Sequence, residues 1–231
     1  MVIIKYIAQI NASSKGLPRT LFLLIALLFG SILLVSCEEP EPTEELPSGV
    51  SGYVNGFAYV DLGLSVKWAT CNVGAYAPDD YGNYYAWGET GFKTEYTSEN
   101  SVTDGMILDS IEGNPTYDVA TVRYGSPWRL PTRAEAEELI KNCDFKREDI
   151  HGIEGVRFTS RINGNSIYLP AAGLRVGTNL SGLGFGYYWT ANSFGVEDVH
   201  HADAFVMNSV SAGTSQPVRR HIACSVRPVT E

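Results

Sequence analysis

The sequence predicts an α+β fold, with short antiparallel strands and long loops around one main helix. The helix is indicated by a capping box in residues 126–140, SPWRLPTRAEAEELI. A hairpin is indicated by alternating residues around an Asn-Gly pair in residues 156–170. The remaining segments are short, rich in β-branched and aromatic residues and bounded by Gly, which is typical of strands joined by turns.

The main helix is predicted to begin at Arg133 and to end near Asn142. Thr132 and Glu135 fit the Thr-x-x-Glu capping box, in which each side chain accepts a hydrogen bond from the backbone amide of the other residue. Pro131 prevents a helix from continuing through from the preceding segment. The face expected to be buried follows the i, i+3, i+4, i+7 spacing and consists of Ala136, Leu139, Ile140 and Cys143.

The clearest pair of strands is a predicted hairpin. Its first strand alternates with polar residues and presents Val156, Phe158, Ser160 and Ile162 on one face. Asn163-Gly164 is the pair that two-residue type I′ turns prefer, so the chain is expected to reverse there. Ile167 and Leu169 continue the alternation on the return strand.

The other predicted elements are short. Six further segments are predicted to form strands, namely GFAYVDLG, SVKWATCNV, YYAWGE, YYWTAN, DAFVMNS and HIACSVRPV. Residues 91–116 are expected to be a long surface excursion, and residues 174–186 a Gly-rich loop. One helical turn capped by Asp118 is expected in YDVATVRYG.

The N-terminus has the pattern of a secretory signal. Its only charges are three basic residues, and a nearly unbroken apolar run of 15 residues follows from Leu21 to Val35, shorter than the roughly 20 residues needed to span a bilayer. The run ends in LLVSC, which resembles the lipobox of bacterial lipoproteins. Residues 1–36 are therefore expected to be removed and Cys37 to be lipidated. The alternative is an N-terminal membrane anchor.

Residues 37–52 are predicted to form an extended tether on the lipidated cysteine. The stretch EEPEPTEELPSG has five Glu and three Pro and too little apolar surface to offset the entropy of ordering it. An acidic run after the lipidated Cys resembles the surface-export signal of Bacteroidota lipoproteins. We expect an outer-membrane lipoprotein exposed at the cell surface, the alternative being a periplasmic spacer.

The charge of the chain excludes some classes of partner. Removal of residues 1–36 leaves 14 Lys and Arg against 26 Asp and Glu, a net charge of −12. This charge argues against nucleic acid as a partner, so the membrane is expected to be reached through the lipid anchor. Residues 53–231 are long enough for one domain with a hydrophobic core.

After lipidation of Cys37, three cysteines remain, an odd number for an oxidising compartment. A Cys71–Cys143 bridge between a buried strand and the end of the helix is the predicted pairing. Buried free thiols and a Cys143–Cys224 bridge are the alternatives. No C-x-x-C motif occurs, so zinc and thioredoxin-like redox chemistry have no support.

Six segments in order resemble a known family. They are YVDLGLSVKWATCNVGA, DYGNYYAWGET, WRLPTRAEAEEL, NGNSIYLPAAGLR, GYYWTAN and SVRPV. Together they resemble the Fibrobacter succinogenes major paralogous domain family of bacterial lipoproteins, which is related to DUF1566 and formylglycine-generating-enzyme-like domains. The resemblance covers residues 53–231 and implies a C-type-lectin-like fold. Cys224 departs from the pattern, which has a small residue before SVRPV.

Catalysis receives little support from the sequence. Formylglycine-generating chemistry needs a reactive Cys pair in the C-terminal part of the domain, and only Cys224 lies there. Neither a G-x-S-x-G elbow nor an H-E-x-x-H zinc helix is present. Paired carboxylates for glycoside hydrolysis stay open, because carboxylates distant in sequence can converge. The chain is not expected to be an enzyme, and no cofactor is expected.

Metal and sugar sites have weak candidates. The segment GVEDVHHADA contains His200, His201 and Asp203, which are metal-ligand types, but a solvated acidic loop is the favoured interpretation. The Glu-Pro-Asn and Trp-Asn-Asp motifs of calcium-dependent lectins are absent. Aromatic residues offer a calcium-free route to glycans, and the candidate ligand-binding residues are Tyr81, Tyr84, Trp87 and Trp189. The alternative is that these rings form the core under the loops.

The sequence thus leads to three hypotheses of function. The favoured one is a surface-anchored, non-catalytic binding module for a glycan or for an envelope or host protein. A structural subunit of a cell-envelope assembly and a formylglycine-generating-like enzyme are the alternatives. If a ligand site exists, loop variation on a fixed scaffold would place it in residues 91–116 or 174–186.

Overall fold

The computed structural model describes residues 46–231. The predicted signal peptide, the lipidation site Cys37 and the tether as far as residue 45 lie outside the described residues. Within residues 46–231 the protein is mostly β-structure, with several small antiparallel sheets and two short helices. No helix in this range is long and apolar enough to cross a membrane.

The first sheet brings the last strand of the chain beside the first ones. Its order is β1-β2-β3-β14, with β1 at Gly52–Val54, β2 at Phe57–Val60, β3 at Lys67–Ala69 and β14 at Val229–Thr230. Strands β1 and β2 are joined by Asn55-Gly56, whose φ angles of 51° and 81° are the positive values that a type I′ turn requires. Asn55 Nδ2 also donates to the Tyr124 carbonyl at 3.0 Å, which anchors the turn to the C-terminal end of the helix at Val119–Tyr124.

The predicted hairpin is confirmed, but its turn is not the predicted one. The sheet has the order β5-β6-β7, with β5 at Cys143–Ile150, β6 at Ile153–Ser160 and β7 at Ser166–Pro170. Five residues, 161–165, join β6 to β7, and Asn163 does not have the positive φ of a type I′ turn. Instead, Asn163 and Asn165 each donate a side-chain hydrogen bond to the Asp61 carbonyl, at 3.0 and 2.7 Å. This tertiary contact outweighs the local turn preference.

Strand β5 was not predicted. It pairs with β6 along its whole length, and the two are joined by His151-Gly152, with φ angles of 53° and 84°. Its sequence CDFKREDI is highly charged, and most of its residues are exposed. An edge strand that faces solvent on both sides lacks the alternating pattern by which strands are recognised.

Two further sheets complete the described structure. One has the order β10-β11-β12, with β10 at Gly186–Ser193, β11 at His201–Met207 and β12 at Ala212–Arg219. The other has the order β4-β13-β8-β9, with β4 at Tyr85–Ala86, β13 at Ala223–Cys224, β8 at Leu174–Val176 and β9 at Asn179–Ser181. The segment predicted as a Gly-rich loop therefore contains a hairpin. Its two-residue turn places Gly177, with φ of 56°, at the first central position, as a type II′ turn requires.

Both predicted helical segments are confirmed. Helix α1 is Val119–Tyr124, and its N-cap Asp118 accepts from the amides of Ala120 and Thr121. Helix α2 is Arg133–Asn142, and both hydrogen bonds of the capping box are present. The carboxylate of Glu135 additionally forms a two-point contact with Arg129, with N–O distances of 2.8 and 2.6 Å.

The hydrophobic core has two large clusters and a small one. The first cluster packs α1 against sheet residues and contains Trp87, Trp128 and Trp189. The second packs α2 against the hairpin sheet and contains Trp68. The third consists of Tyr84, Ala86, Tyr96, Ala172 and Ala223. The aromatic residues that are frequent in the sequence are thus mostly core residues.

The described cysteines are free thiols, so the predicted Cys71–Cys143 bridge is not formed in the structure. Cys143 belongs to the cluster beneath α2, whereas Cys224 belongs to the cluster that contains Trp87. Cys71 lies beyond the end of β3 and is partly exposed. Burial raises the pKa of Cys143 to about 11, so this thiol is unreactive at neutral pH.

The capping box generates a prediction about acid stability. Burial raises the pKa of Glu135, but hydrogen bonds from Arg129 and from the Thr132 amide outweigh burial and hold it below its ordinary value of 4.5. Because the folded-state pKa is the lower one, the stabilisation is present above about pH 4.5 and is lost as the pH falls through the lowered pKa. We expect Glu135→Gln to reduce the free energy of unfolding by about 2 kcal/mol at pH 7.

Urea unfolding at a series of pH values between 3 and 7 measures this effect. The difference between Glu135→Gln and the parent protein should shrink below pH 4.5, because the parent carboxylate then becomes protonated. Glu137→Gln, on the exposed face of the same helix, should change the free energy of unfolding by less than about 0.5 kcal/mol. A difference for Glu135→Gln that stays constant over the whole pH range would contradict the prediction.

Candidate functional site

A cleft of about 340 Å³ lies between the two segments in which loop variation was expected to place a ligand site. The residues that line it are Gly82, Asn83, Tyr84, Phe92, Lys93, Thr94, Tyr96 and Arg175. Residues 92–96 form one wall, and strand β8 supplies Arg175. Tyr96 and Gly177 hold the walls together through two backbone hydrogen bonds of 3.0 Å each. We refer to it as the Arg175 cleft.

Two buried tyrosines form the floor of the Arg175 cleft. The Tyr84 hydroxyl donates to the Ala172 carbonyl at 2.6 Å, and the Tyr96 hydroxyl donates to the Tyr84 carbonyl at 2.6 Å. Burial raises the pKa of both phenols, so both are neutral donors at neutral pH. Their hydroxyl groups are committed to the backbone, which makes the floor rigid.

Lys93 and Glu89 fix residues 89–102, which we call the outer loop of the cleft. The Lys93 ammonium lies 2.8 Å from the Glu89 carboxylate and donates to the carbonyl and side-chain oxygens of Asn100, at 2.9 Å each. The Glu89 carboxylate is buried and also accepts from the Val102 amide at 2.9 Å. Three donors of the ammonium group are thereby used. Lys93 therefore closes the loop on itself and is not available to a ligand.

Arg175 and Phe92 line the cleft without being fully engaged by other described residues. The Arg175 guanidinium lies over the Tyr84 ring, 5.1 Å from its centroid, and within residues 46–231 it forms no ion pair. The Phe92 side chain is 62% exposed although it lines the cleft. Arg175 pairs across the hairpin with Leu180, which places the two side chains on one face. The Arg175 cleft thus combines a hydrogen-bonding cation with exposed apolar surface.

The structure assigns most of the predicted aromatic site residues to the core. Trp87 and Trp189 are 0% and 1% exposed, and their indole N–H groups donate to the backbone carbonyls of Thr190 and Tyr85. Tyr81 is partly buried against the third core cluster. Tyr84 lines the cleft, but Arg175 covers its ring. Trp87 and Trp189 are thus core residues, which was the alternative expectation, whereas Tyr84 lies at the cleft and Tyr81 is only partly buried.

Phe92 and Arg175 were missed as individual residues by the sequence analysis. Both lie in the segments 91–116 and 174–186, so the location was the expected one. Phe92 gave no signal because a single aromatic residue in a polar loop has no periodicity. Arg175 gave none because only the structure shows that it has no carboxylate partner within the described range.

The three weak metal candidates do not converge. They have separate partners, with His200 Nδ1 2.7 Å from Asp104, His201 Nδ1 3.0 Å from Asp198 and Asp203 Oδ2 3.1 Å from Arg133 Nε. Asp203 is fully buried, whereas His200 is exposed. Among the described residues, no group of three or more His, Cys, Asp and Glu side chains is arranged to hold a metal ion.

A second cleft, of about 440 Å³, lies beside the tip of the β5–β6 hairpin. His151 Nδ1 lies 2.9 Å from the Asp79 carboxylate, and this hydrogen bond is the main cause that lowers the pKa of Asp79. Arg157, on the same cleft, is paired with Glu148 and donates to Ser166. Its charged groups therefore satisfy one another, unlike the guanidinium of the Arg175 cleft.

Arg220 holds the outer loop of the Arg175 cleft to the rest of the domain. Its guanidinium is fully buried and lies 4.5 Å from the centroid of the Trp87 ring. It donates to five backbone carbonyls, those of Thr103, Met106, Leu108, Asp198 and His201. The irregular segment 103–108 and residues 198–201, which lead into β11, are thus tied together by one side chain.

Comparisons with known proteins do not assign the chain to a family. No family model matches it, and no curated protein or solved structure matches it either.

The Arg220 contacts predict a large and local effect on stability. We expect Arg220→Met to lower the free energy of unfolding by at least about 3 kcal/mol, because five carbonyls each lose one buried, charged donor. Arg219→Met is a matched control, since Arg219 is the adjacent arginine and is exposed. It should change the free energy by less than about 0.5 kcal/mol. Guanidinium unfolding measures both values, and equal effects of the two substitutions would contradict the assignment.

Proposed function

We propose that the chain is a lipoprotein, anchored through Cys37 and displayed at the surface of the outer membrane, whose domain is a non-catalytic module that binds glycans. The observation that carries the proposal is the Arg175 cleft. It places an exposed phenylalanine beside an arginine with unused donors. Sugars offer apolar faces that pack on aromatic rings and hydroxyl groups that accept hydrogen bonds, so both partners are complementary to a sugar.

The size and rigidity of the cleft support a binding role. Its volume of about 340 Å³ is within the range of about 300–1,000 Å³ that is usual for ligand sites. Tyr84 and Tyr96 are fixed by hydrogen bonds to the backbone. A rigid floor reduces the entropy that is lost when a ligand binds.

We propose further that the mostly β domain has a C-type-lectin-like fold, as the resemblance of the sequence implies. Its support is the pairing of β14 with β3, which brings the two ends of the described domain into one sheet. The long loops that follow this sheet carry the Arg175 cleft. Such a division between a strand framework and ligand-binding loops is common in binding modules.

The two alternatives have less support. A structural subunit would be favoured by an open strand edge, but the long edge strand β5 is highly charged and the long edge strand β12 contains Pro217. Both features oppose pairing with another chain. For formylglycine-generating chemistry, Cys224 is the only candidate thiol in the C-terminal part, and burial raises its pKa. A buried, protonated thiol is a poor metal ligand and nucleophile.

A binding measurement tests the module. We expect the full-length chain in detergent to bind at least one member of a panel of immobilised polysaccharides with saturable affinity. Phe92→Ala should weaken this binding by at least about fivefold, because a central aromatic contact is lost. Tyr76→Ala is the matched control, since Tyr76 is 99% exposed but does not line the cleft. Equal affinities of Phe92→Ala and the parent protein would remove the cleft from the proposal.

Protease shaving of intact cells tests the display of the domain. We expect the domain to be lost from intact cells without permeabilisation of the outer membrane, while a periplasmic marker protein is retained. Cys37→Ser should move the protein out of the membrane fraction, because the lipid attachment site is removed. Protection of the domain until the outer membrane is permeabilised would contradict surface display and would leave the lipid anchor in place.

A further inference from the structure

We propose that the glycan bound in the Arg175 cleft is a uronate polymer and that Arg175 recognises its carboxylate. This inference rests on the proposed function, because it names the class of sugar that the same site takes.

The position of Arg175 over the Tyr84 ring leaves the guanidinium available to a carboxylate. A guanidinium that lies over an aromatic face still has the N–H groups at its edge available. With the Tyr84 hydroxyl fixed on the Ala172 carbonyl at 2.6 Å, the ring under the guanidinium is held in place. Two parallel N–H groups at that edge match the two oxygens of a carboxylate.

The local charge of the cleft favours an acid. None of the residues that line it is acidic, and Lys93 and Arg175 are its two basic residues. Lys93 is offset by Glu89 at 2.8 Å. The charge that remains is the single positive charge of Arg175, which a ligand with one carboxylate in this position would neutralise.

The charge of the whole domain restricts the kind of acid. Residues 46–231 contain 14 Lys and Arg against 21 Asp and Glu, a net charge of −7, so affinity for an acid has to come from a local contact and not from the overall charge of the domain. A densely sulfated polymer needs a broad basic surface, which this composition does not favour. A uronate residue has one carboxylate and an otherwise uncharged ring, which suits one arginine flanked by apolar side chains.

The apolar surroundings favour a sugar acid over an acidic peptide. Phe92 is 62% exposed and Leu180, the cross-strand partner of Arg175, is 38% exposed. A pyranose ring has an apolar face that can cover such surface while its carboxylate reaches the guanidinium. A run of acidic side chains offers only charged groups to the same surface.

Matched pairs of polymers test the inference. The full-length chain in detergent is titrated against polygalacturonate, alginate and hyaluronate and against the carboxyl-reduced, neutral form of each. We expect at least one uronate polymer to bind at least about tenfold more tightly than its reduced form, because contacts to the charged group are lost. Arg175→Gln should abolish this preference, and Arg175→Lys should retain only part of it.

Arg219→Gln is the control, since it removes an exposed arginine elsewhere in the domain and should leave the preference unchanged. Unaltered melting temperatures of the Arg175 variants show that they are folded. Equal binding of the acidic and reduced forms would overturn the uronate inference and leave the glycan-binding proposal standing. Equal binding of polyglutamate and a uronate polymer would overturn the sugar assignment. Failure to bind any of these polymers overturns the uronate inference, whereas the wider panel decides on glycan binding.

Discussion

The long irregular stretch between β4 and α1 is held in place by one buried cation, the guanidinium of Arg220. Arg220 donates to five backbone carbonyls in the segments 103–108 and 198–201 and lies over Trp87. Segments of this kind lack the ladder of hydrogen bonds that strands supply, and a buried carbonyl without a donor is unfavourable. One guanidinium with five N–H groups satisfies several of them at once. The long excursion between β4 and α1 can therefore pack against the sheets without becoming a strand.

Two other buried charged side chains, Asp118 and Arg227, also form several hydrogen bonds to the backbone. The Asp118 carboxylate is fully buried and accepts from the amides of Gly113, Ala120, Thr121 and Leu130. The Arg227 guanidinium is buried and donates to the carbonyls of Ala69 and Thr70 and to Asn72 Oδ1. In each case one charged side chain binds several backbone groups that lie in irregular segments or at the ends of helices and strands. Buried polar groups in this domain thus replace the secondary structure that short strands do not provide.

The sequence predicted those elements that are stabilised by interactions between residues close in sequence. The capping box at Thr132 and Glu135 set the start of α2, because both of its hydrogen bonds lie within one turn. The two Asn-Gly pairs show that the local sequence alone does not determine the type of turn. Asn55-Gly56 forms the two-residue turn with positive φ, whereas Asn163-Gly164 does not, because the Asn163 side chain bonds to the distant Asp61 carbonyl. Such contacts between distant residues determine the turn conformation, and they cannot be recognised from a short stretch of sequence. Both walls of the candidate site are segments without a strong pattern in the sequence, and it is in such segments that a ligand site was expected.

The different roles of the residues in the Arg175 cleft explain why Phe92 and Arg175 gave no signal in the sequence. Tyr84, Tyr96 and Lys93 are engaged with backbone atoms or with Glu89, so they hold the loops in place. Phe92 and Arg175 have exposed or unused surface and contribute little to that framework. Residues that only face a ligand have no periodicity, cap or turn to satisfy, and nothing in the local chain requires their identity. Because buried polar contacts fix the framework, the identity of these two residues is not constrained by folding and is free to suit the proposed ligand.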